Sequence, residues 1–215
     1  AESDPKSDIE GIDSAHKLSL LSTICFGASI NFKNVIFKGI SDIQLEDIKN
    51  ANNLGYKVKL ISTSEIIEGK IFSIVEPTLI KKDSQLGKVD HVLNGIKIES
   101  DYLNSLFIEG EGAGGKATAS SIISDLFEIS KRNDSNSLGF KSSQLIDYQK
   151  FDNKNRFSSY YLRIQVKDIP GVLAKITSNL NDEGVSIETI FQIPDNSEFN
   201  KINEVPIIIT THETR

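Results

Sequence analysis

The sequence predicts an α+β protein in which a mixed sheet carries helices packed on it, followed by a smaller β-α-β-β unit. Two observations predict this class. Segments with alternating apolar residues outnumber those with helical periodicity, and the helical segments cluster. A polar stretch without sustained periodicity, residues 131–157, separates two sets of segments. We therefore expect a first domain over 1–135, a linker over 136–157 and a second domain over 158–215.

The composition excludes several classes of protein. The 215 residues are 38% hydrophobic and 25% charged, as in soluble globular proteins. A net charge of −6 leaves no basic surplus for phosphates, which argues against a nucleic-acid partner. No apolar run approaches the ~20 residues of a membrane span and no signal-peptide pattern is present, so we expect a cytoplasmic protein without a membrane partner. The lone Cys25 lies in an apolar helical run and is predicted to be a buried thiol rather than part of a disulfide framework. The three histidines lack metal-ligand spacing, so no metal site is predicted: His16, His91 and His212.

Helices and strands of the first domain follow from periodicity and capping residues. Apolar residues on most sides predict a buried helix from Ile12 to about Ile30. Ser41 as N-cap and Gly55 just past the end predict a second helix over 41–56. Runs rich in β-forming residues predict strands over 34–40, 57–66, 69–80, 91–100 and 105–115. A last helix over 116–130 has its apolar residues on one face: Ala119, Ile122, Ile123, Leu126 and Ile129.

The second domain shows the order β-α-β-β. Strands are predicted over 159–168, 185–193 and 205–213, with a Pro-Gly turn leading into a helix after the first strand. Such a sheet has its helix on one face and usually requires a further helix and strand to complete it. Because the sequence stops at Arg215, opens at Ala1 in polar loop sequence and contains no Met, we expect a fragment of a longer protein.

The segment "SDIEGIDSAHK", residues 7–17, places acids and a lysine at the start of the first long helix. Asp13 and Lys17 are four residues apart and share a helix face that continues through Leu20, Leu21 and Ile24. A surface ion pair of this spacing contributes ~0.3–0.5 kcal/mol. A lysine held in a pocket with carboxylates can instead donate or accept a proton at neutral pH. The spacing leaves both interpretations open.

The segment "EGEGAGGKATAS", residues 109–120, places four glycines between a strand and a helix. Glycine lets backbone approach a ligand closely, and the following helix N-terminus offers free N–H groups to a phosphate or a nicotinamide edge. The segment lacks both the βαβ context of the dinucleotide fingerprint and the G-x-x-x-x-G-K-[ST] spacing. A tight strand-to-helix turn explains the glycines equally well.

Four segments, in this order, resemble one family. "ESDPKSDIEGIDSAHKL" (2–18) resembles the substrate-binding signature of homoserine dehydrogenase, and "GISDIQLEDIKNANNLGYKVKLI" (39–61) resembles the segment that follows it there. "GEGAGGKATASSIISDLFEI" (110–129) is similar to the loop and returning helix that close that family's active site. "VKDIPGVLAKITSNLNDEGVSIETIFQ" (166–192) resembles an ACT regulatory domain, which makes the second unit a ferredoxin-like βαββ unit.

The resemblance implies a reaction and a substrate site. The reaction is the NAD(P)-dependent interconversion of L-homoserine and L-aspartate 4-semialdehyde, on the route to threonine and methionine. Lys17 is then the acid/base residue at the substrate oxygen, with Asp13 as its catalytic partner. Glu2 binds the amino group of the substrate, and Asp8 and Asp13 complete the polar pocket. An alcohol that gives up hydride must also lose a proton, which requires a base at the hydroxyl.

The same resemblance implies cofactor and effector sites. Gly112, Ala113 and Gly114 lie against the nicotinamide end of NAD or NADP. Threonine is the expected effector, held between paired ACT domains of a homodimer or homotetramer. The residues expected at the effector site are Asp168, Gly171, Ile190 and Gln192. The alternative is that the ACT unit only drives association.

One departure from the family is large, because the nucleotide-binding fold that precedes these segments there is absent from this sequence. Residues 1–215 alone are therefore expected to be inactive, and the choice between NAD and NADP is left open. A non-enzymatic amino-acid-sensing ACT protein is the alternative function. A two-function kinase–dehydrogenase fits less well, because its ACT repeats precede the dehydrogenase part.

Overall fold

The computed structural model describes residues 4–131, 138–192 and 204–215. The chain divides into two compact units, Ala1–Lys150 and Phe151–Arg215. Both units combine helices with strands, so the predicted α+β class is confirmed.

The first unit is built on a three-stranded sheet with the order β1-β3-β2. Strand β3 runs parallel to β1 and antiparallel to β2. Its strands are β1 (Ile36–Phe37), β2 (Tyr56–Ile67) and β3 (Lys70–Lys81). The β2–β3 turn consists of Glu68 and Gly69, both with positive φ (51° and 73°), which matches the twist of a tight hairpin. Helices of this unit are α1 (Lys6–Ile9), α2 (Ile12–Phe26), α3 (Leu45–Asn53), α4 (Gln85–Lys88) and α5 (Gly115–Ser130).

The core of the first unit lies between α2 and this sheet. Ala15, Leu18, Val35 and Val75 form one buried cluster, against which Phe32 and Leu60 pack. Ala15 and Leu18 are three residues apart on α2, so one face of the helix is held against the sheet. Three serines extend this contact with polar groups. The Ser22 hydroxyl donates to Ser64 Oγ at 2.8 Å, and Ser64 Oγ lies 2.9 Å from Ser73 Oγ.

Gly27 ends helix α2 four residues earlier than the apolar pattern predicts. Its φ of 63° is left-handed, and its N–H donates to the Thr23 carbonyl at 2.9 Å. Phe140 packs beside it, 3.2 Å from the position where a Cβ would stand. The chain over 138–150 then bonds back to this unit, with Ile146 N–H donating to Gly27 O at 2.8 Å and Ile71 N–H donating to Gln149 O at 2.9 Å. Part of the predicted linker thus packs on the first unit.

A separate two-stranded ribbon, β4 (Leu93–Ser100) and β5 (Asn104–Glu111), leads into α5. The strands pair antiparallel from Leu93 opposite Glu111 to Ser100 opposite Asn104. Most apolar residues of ribbon and helix remain exposed, and none of the α5 residues is buried. These exposed side chains include Leu106, Ile108, Ile122, Ile123, Leu126, Phe127 and Ile129.

The second unit has the predicted β-α-β-β order. Its elements are β6 (Tyr161–Lys167), α6 (Val172–Asp182), β7 (Ile187–Gln192) and β8 (Glu204–Thr211). Strand β8 lies between β6 and β7 and is antiparallel to both. The buried side chains of this sheet lie mostly on β8, where Ile207, Ile208 and Ile209 are at most 2% exposed.

Two local predictions are wrong. Cys25 is exposed rather than buried, because it lies on the side of α2 that faces away from the sheet. Ser41 does not cap α3; its hydroxyl donates to Glu10 Oε1 at 2.7 Å. Gln44 is the N-cap instead, and Asp47 accepts from the Gln44 N–H at 3.0 Å. Gly55, with a φ of 83°, follows the end of the helix as predicted.

Candidate functional site

A left-handed glycine sets the start of the acid/lysine helix. Gly11 has a φ of 76°, and this left-handed conformation separates α1 from α2. Its carbonyl accepts a hydrogen bond from the Ala15 N–H at 3.0 Å. A Cβ on Gly11 would stand 3.3 Å from a methyl group of Val75. Glycine therefore lets the helix begin directly on the sheet, and this placement fixes the direction of Asp13 and Lys17.

Asp13 and Lys17 form the ion pair that their spacing predicts. Lys17 Nζ lies 2.6 Å from Asp13 Oδ2, with side chains 68% and 41% exposed respectively. The helix face continues through Leu20 and Ile24, which are 43% and 52% exposed. Within the described residues this face is open to solvent. Taken by itself, the geometry is that of a surface pair on the outer side of a well-packed helix.

Residues close to this pair in the sequence, His16 and Glu10, make contacts that spacing does not predict. The His16 ring stacks on Phe32, with centroids 4.0 Å apart and planes 9° apart. Glu10 accepts the hydroxyl hydrogen bond of Ser41, which ties the α1–α2 corner to the loop before α3. Phe32 begins a short 3₁₀ helix and Ser41 lies in a loop, and no spacing rule relates either of them to this corner because only the fold brings them there.

Of the two further acids expected at the substrate site, Asp8 lies within the described residues and Glu2 does not. Asp8 lies on the short helix α1 and is exposed. Glu2 lies outside the described residues. The structure therefore places Asp8 near the start of α2 and Asp13 and Lys17 on it.

The glycine segment, residues 110–115, runs from the end of β5 through a turn to the first residue of α5. The Gly112 N–H donates to the Val92 carbonyl at 2.9 Å, and a Cβ on Gly112 would overlap the Asn94 carboxamide. Gly114 has a φ of 119°, a conformation open mainly to glycine. At Gly114 and Gly115 no atom lies within 4 Å of the Cβ position, so this backbone is open to a ligand. Neither Val92 nor Asn94 was predicted, because only the ribbon register brings them to the loop.

The glycine segment and α2 belong to different parts of the first unit. Among the described residues, no hydrogen bond or ion pair joins residues 110–115 to the helix that carries Lys17. The predicted catalytic residues on α2 and the predicted cofactor residues of the glycine segment thus lie on two separate surfaces.

In the second unit, two predicted effector residues meet. Gln192 Nε2 donates to Asp168 Oδ1 at 3.3 Å across the end of the sheet. Gly171, with a φ of 91°, is the N-cap of α6, so the start of that helix lies three residues from Asp168. Ile190 is two residues from Gln192 on edge strand β7, so the two side chains share a face. The structure brings Asp168 and Gln192 into contact. Gly171 and Ile190 are three and two residues away from them in the sequence, respectively.

Within the described ranges the chain has neither a metal-binding cluster nor a membrane-spanning helix. No group of three or more His, Cys, Asp or Glu side chains in residues 4–131, 138–192 and 204–215 is placed to hold a metal ion. In those same ranges no helix is long and apolar enough to cross a membrane.

The fold defines a two-unit α+β protein with an open acid/lysine helix, a glycine turn and a βαββ unit of ferredoxin-like order. A family model described as homoserine dehydrogenase matches residues 1–127, and one described as ACT domain matches residues 160–215. The chain belongs to the homoserine dehydrogenase family.

Individual relatives agree with this assignment. The chain is 37% identical to a homoserine dehydrogenase of Pseudomonas aeruginosa over 99% of its length and 50% of the relative's. It is 36% identical to one of Bacillus subtilis, covering 100% of the chain and 49% of the relative. A crystal structure of a Thiobacillus denitrificans homoserine dehydrogenase matches with a TM-score of 0.86 and 35% identity, over 100% of this chain and 49% of that one. The chain thus spans about half the length of the curated relatives it matches.

Proposed function

We propose that this chain is the substrate-binding and regulatory part of a homoserine dehydrogenase, which interconverts L-homoserine and L-aspartate 4-semialdehyde with NAD or NADP. The observation that carries the proposal is the Asp13–Lys17 pair on the open face of α2, in a chain that belongs to this family. The pathway is the biosynthesis of threonine and methionine.

Lys17 is the proton donor and acceptor in this proposal. In the reducing direction the Lys17 ammonium gives a proton to the aldehyde oxygen, which becomes the hydroxyl of homoserine. In the oxidising direction the Lys17 amine takes that proton back. Asp13 Oδ2, 2.6 Å from Lys17 Nζ, holds the lysine side chain in place.

The remaining acids bind the amino-acid part of the substrate. The homoserine ammonium requires an anion, and the resemblance to the family signature implies Glu2, Asp8 and Asp13 as the carboxylates that supply it. The exposure of Asp8 supports this role, because a substrate can reach it directly.

The glycine segment suits the nicotinamide end of the cofactor. NAD or NADP supplies or accepts the hydride when bound. The open Cβ positions of Gly114 and Gly115 support this placement, since a flat ring can approach such a backbone closely. Gly112, Ala113 and Gly114 are the proposed contacts, and the choice between NAD and NADP depends on residues beyond this segment.

The βαββ unit is the proposed regulatory module, with threonine as effector. The Asp168–Gln192 contact supports a polar site at the start of α6, where an amino-acid carboxylate can meet free N–H groups. Gly171 lets the backbone turn there, and Ile190 offers an apolar contact.

We further propose that the protein is cytoplasmic and assembles as a homodimer or homotetramer. The exposed apolar side chains of the β4–β5 ribbon and of α5 support assembly, because monomeric proteins rarely expose large contiguous apolar patches. The net charge of −6 gives no support to a nucleic-acid partner.

The test is an enzyme assay on two forms of the protein. Residues 1–215 alone are expected to show no homoserine oxidation. A chimera that joins the first half of the Pseudomonas aeruginosa relative to residues 1–215 is expected to oxidise homoserine and to be inhibited by threonine. Turnover by residues 1–215 alone would show that the nucleotide-binding half is dispensable. An inactive but folded chimera that binds threonine would favour the amino-acid-sensing alternative.

A further inference from the structure

The ribbon that ends in the glycine segment is anchored to the rest of the first unit by a small ion-pair cluster. Lys57 Nζ donates to both carboxylate oxygens of Asp90, at 2.9 Å and 2.7 Å. Lys59 Nζ lies 3.5 Å from Asp90 Oδ1 and donates to the Val89 carbonyl. Both lysines project from β2, the strand that packs against α2 and α3, whereas Asp90 stands just before β4.

The lysines of this cluster are less exposed than those of the other ion pairs within the described residues. The Lys59 and Lys57 side chains are 21% and 35% exposed, compared with 63% for Lys38 in its pair with Asp42. The Lys57 hydrogen bond, together with the charges of Lys57 and Lys59, holds the pKa of Asp90 below its usual value. An aspartate is ionised at neutral pH in any case, and the two lysines extend its ionised range to lower pH.

Asp90 begins a constrained turn into β4. The Asp90 carbonyl accepts from the Leu93 N–H at 3.2 Å, and His91 between them has a φ of 58°, a left-handed conformation that costs energy for a residue with a side chain. This turn sets the direction of the Val92 carbonyl. Because the Val92 carbonyl accepts the Gly112 N–H, the turn holds Gly112 of the glycine segment.

Asn94 holds the same glycine from the other side. Asn94 pairs with Gly110 in the ribbon register, and its carboxamide occupies the space that a side chain on Gly112 would need. Gly112 is not among the glycines with positive φ, so its backbone conformation does not require a glycine. The close contact with the Asn94 carboxamide does require one, because it leaves no room for a Cβ.

We infer that Asp90 and Asn94 are positioning residues for the glycine segment. Asp90, fixed by Lys57 and Lys59, anchors the turn whose Val92 carbonyl binds Gly112, and Asn94 packs on the same residue. A two-stranded ribbon is only marginally stable by itself, so this anchoring sets how the segment is presented. That this anchoring positions a cofactor contact rests on the proposed function. The anchoring itself does not depend on it.

The test is amide hydrogen exchange on residues 1–215, followed at the Gly112 N–H. Asp90→Asn is expected to speed this exchange by about fivefold or more, while the Ile71 N–H, bonded to Gln149 O, keeps its rate. Asp90→Glu keeps the carboxylate and is expected to restore most of the protection. Asp42→Asn is the matched control, because it removes one carboxylate from an exposed ion pair and should leave Gly112 unchanged.

Asn94 is tested by a steric pair of variants. Gly112→Ala is expected to speed exchange at residue 112, and adding Asn94→Ala is expected to relieve the overlap and partly restore protection. Unchanged Gly112 exchange in Asp90→Asn, or equal acceleration at Gly112 and Ile71, would overturn the inference. Faster exchange at Gly112 together with an inactive chimera would count against the proposed function and leave the anchoring intact.

Discussion

Helices α2 and α5 have similar lengths, 15 and 16 residues, yet they differ completely in what their apolar residues contact. Helix α2 buries Ala15, Leu18, Ser19, Ser22 and Thr23 against the sheet. Helix α5 buries no residue, and Leu126 and Phe127 are each 60% exposed. An apolar face shows that a helix requires a partner, but its sequence does not show where that partner lies.

The comparison extends to function. The buried side of α2 gives Asp13 and Lys17 a rigid support, while their outer side stays open. The glycine segment at the start of α5 is likewise held on one side, by Val92 and Asn94, and open on the other. Within the described residues, both proposed contact surfaces are thus supported on one side and open to solvent on the other.

The largest expected contrast comes from truncating one leucine in each helix. Leu18→Ala removes a side chain that is 4% exposed and should lower the free energy of unfolding by about 2–5 kcal/mol. Leu126→Ala removes one that is 60% exposed and should change it by no more than about 0.5 kcal/mol. Urea unfolding at a concentration where the chain is monomeric measures both. Equal losses would mean that α5 is packed within the chain.

A smaller contrast is expected between glycines at the helix ends. Gly27→Ala places a Cβ at a φ of 63° and 3.2 Å from Phe140, so it should cost about 1–3 kcal/mol. Gly115→Ala, at the first residue of α5, meets no atom within 4 Å and should stabilise by up to about 1 kcal/mol. Thermal unfolding followed by circular dichroism distinguishes them. A stabilising Gly27→Ala would contradict the described end of α2.

Serine hydroxyls give a third contrast. Ser22→Ala breaks the partly buried hydrogen bond to Ser64 and should destabilise by about 1 kcal/mol. Ser121→Ala removes only an exposed bond to the Ala117 carbonyl on α5 and should be neutral within about 0.5 kcal/mol. The readout is the midpoint of urea unfolding. A neutral Ser22→Ala would show that the three-serine contact does not stabilise the α2–sheet interface.

The smallest stability effect is expected at the proposed catalytic pair. Asp13→Asn removes an exposed ion pair and should change the free energy of unfolding by about 0.5 kcal/mol or less. Asp42→Asn, in the other exposed pair of the same spacing, serves as the control. A loss of several kcal/mol at Asp13 would mean that this residue has a structural role.

Local signals in the sequence predicted most of the elements, and tertiary contacts account for the failures. Gly27 ended α2 against the apolar pattern through its left-handed φ of 63°, and Phe140, more than 100 residues later, packs beside it. Cys25 lies in an apolar run but on the outer face, since the sheet contacts the opposite side. The Asp13–Lys17 pair followed from spacing alone.

For the proposed site, motifs pointed to Lys17 and the glycines, but not to the residues that contact Gly112. Asn94 and Asp90 lie 18 and 22 residues before Gly112, and no spacing rule relates them to it. The ribbon register and the two lysines of β2 bring them together. The resemblance to homoserine dehydrogenase, by contrast, was carried by contiguous motifs, and the family assignment confirmed it.

The central claim is that Lys17 is the acid/base residue, and the most direct measurement is kcat of the chimera with aspartate 4-semialdehyde. Lys17→Met should lower kcat by about 10²–10⁴-fold with an unchanged unfolding midpoint. Lys38→Met, in the other exposed i,i+4 pair, should leave kcat within about twofold. Equal kcat values for Lys17→Met and the unmodified chimera would contradict the claim.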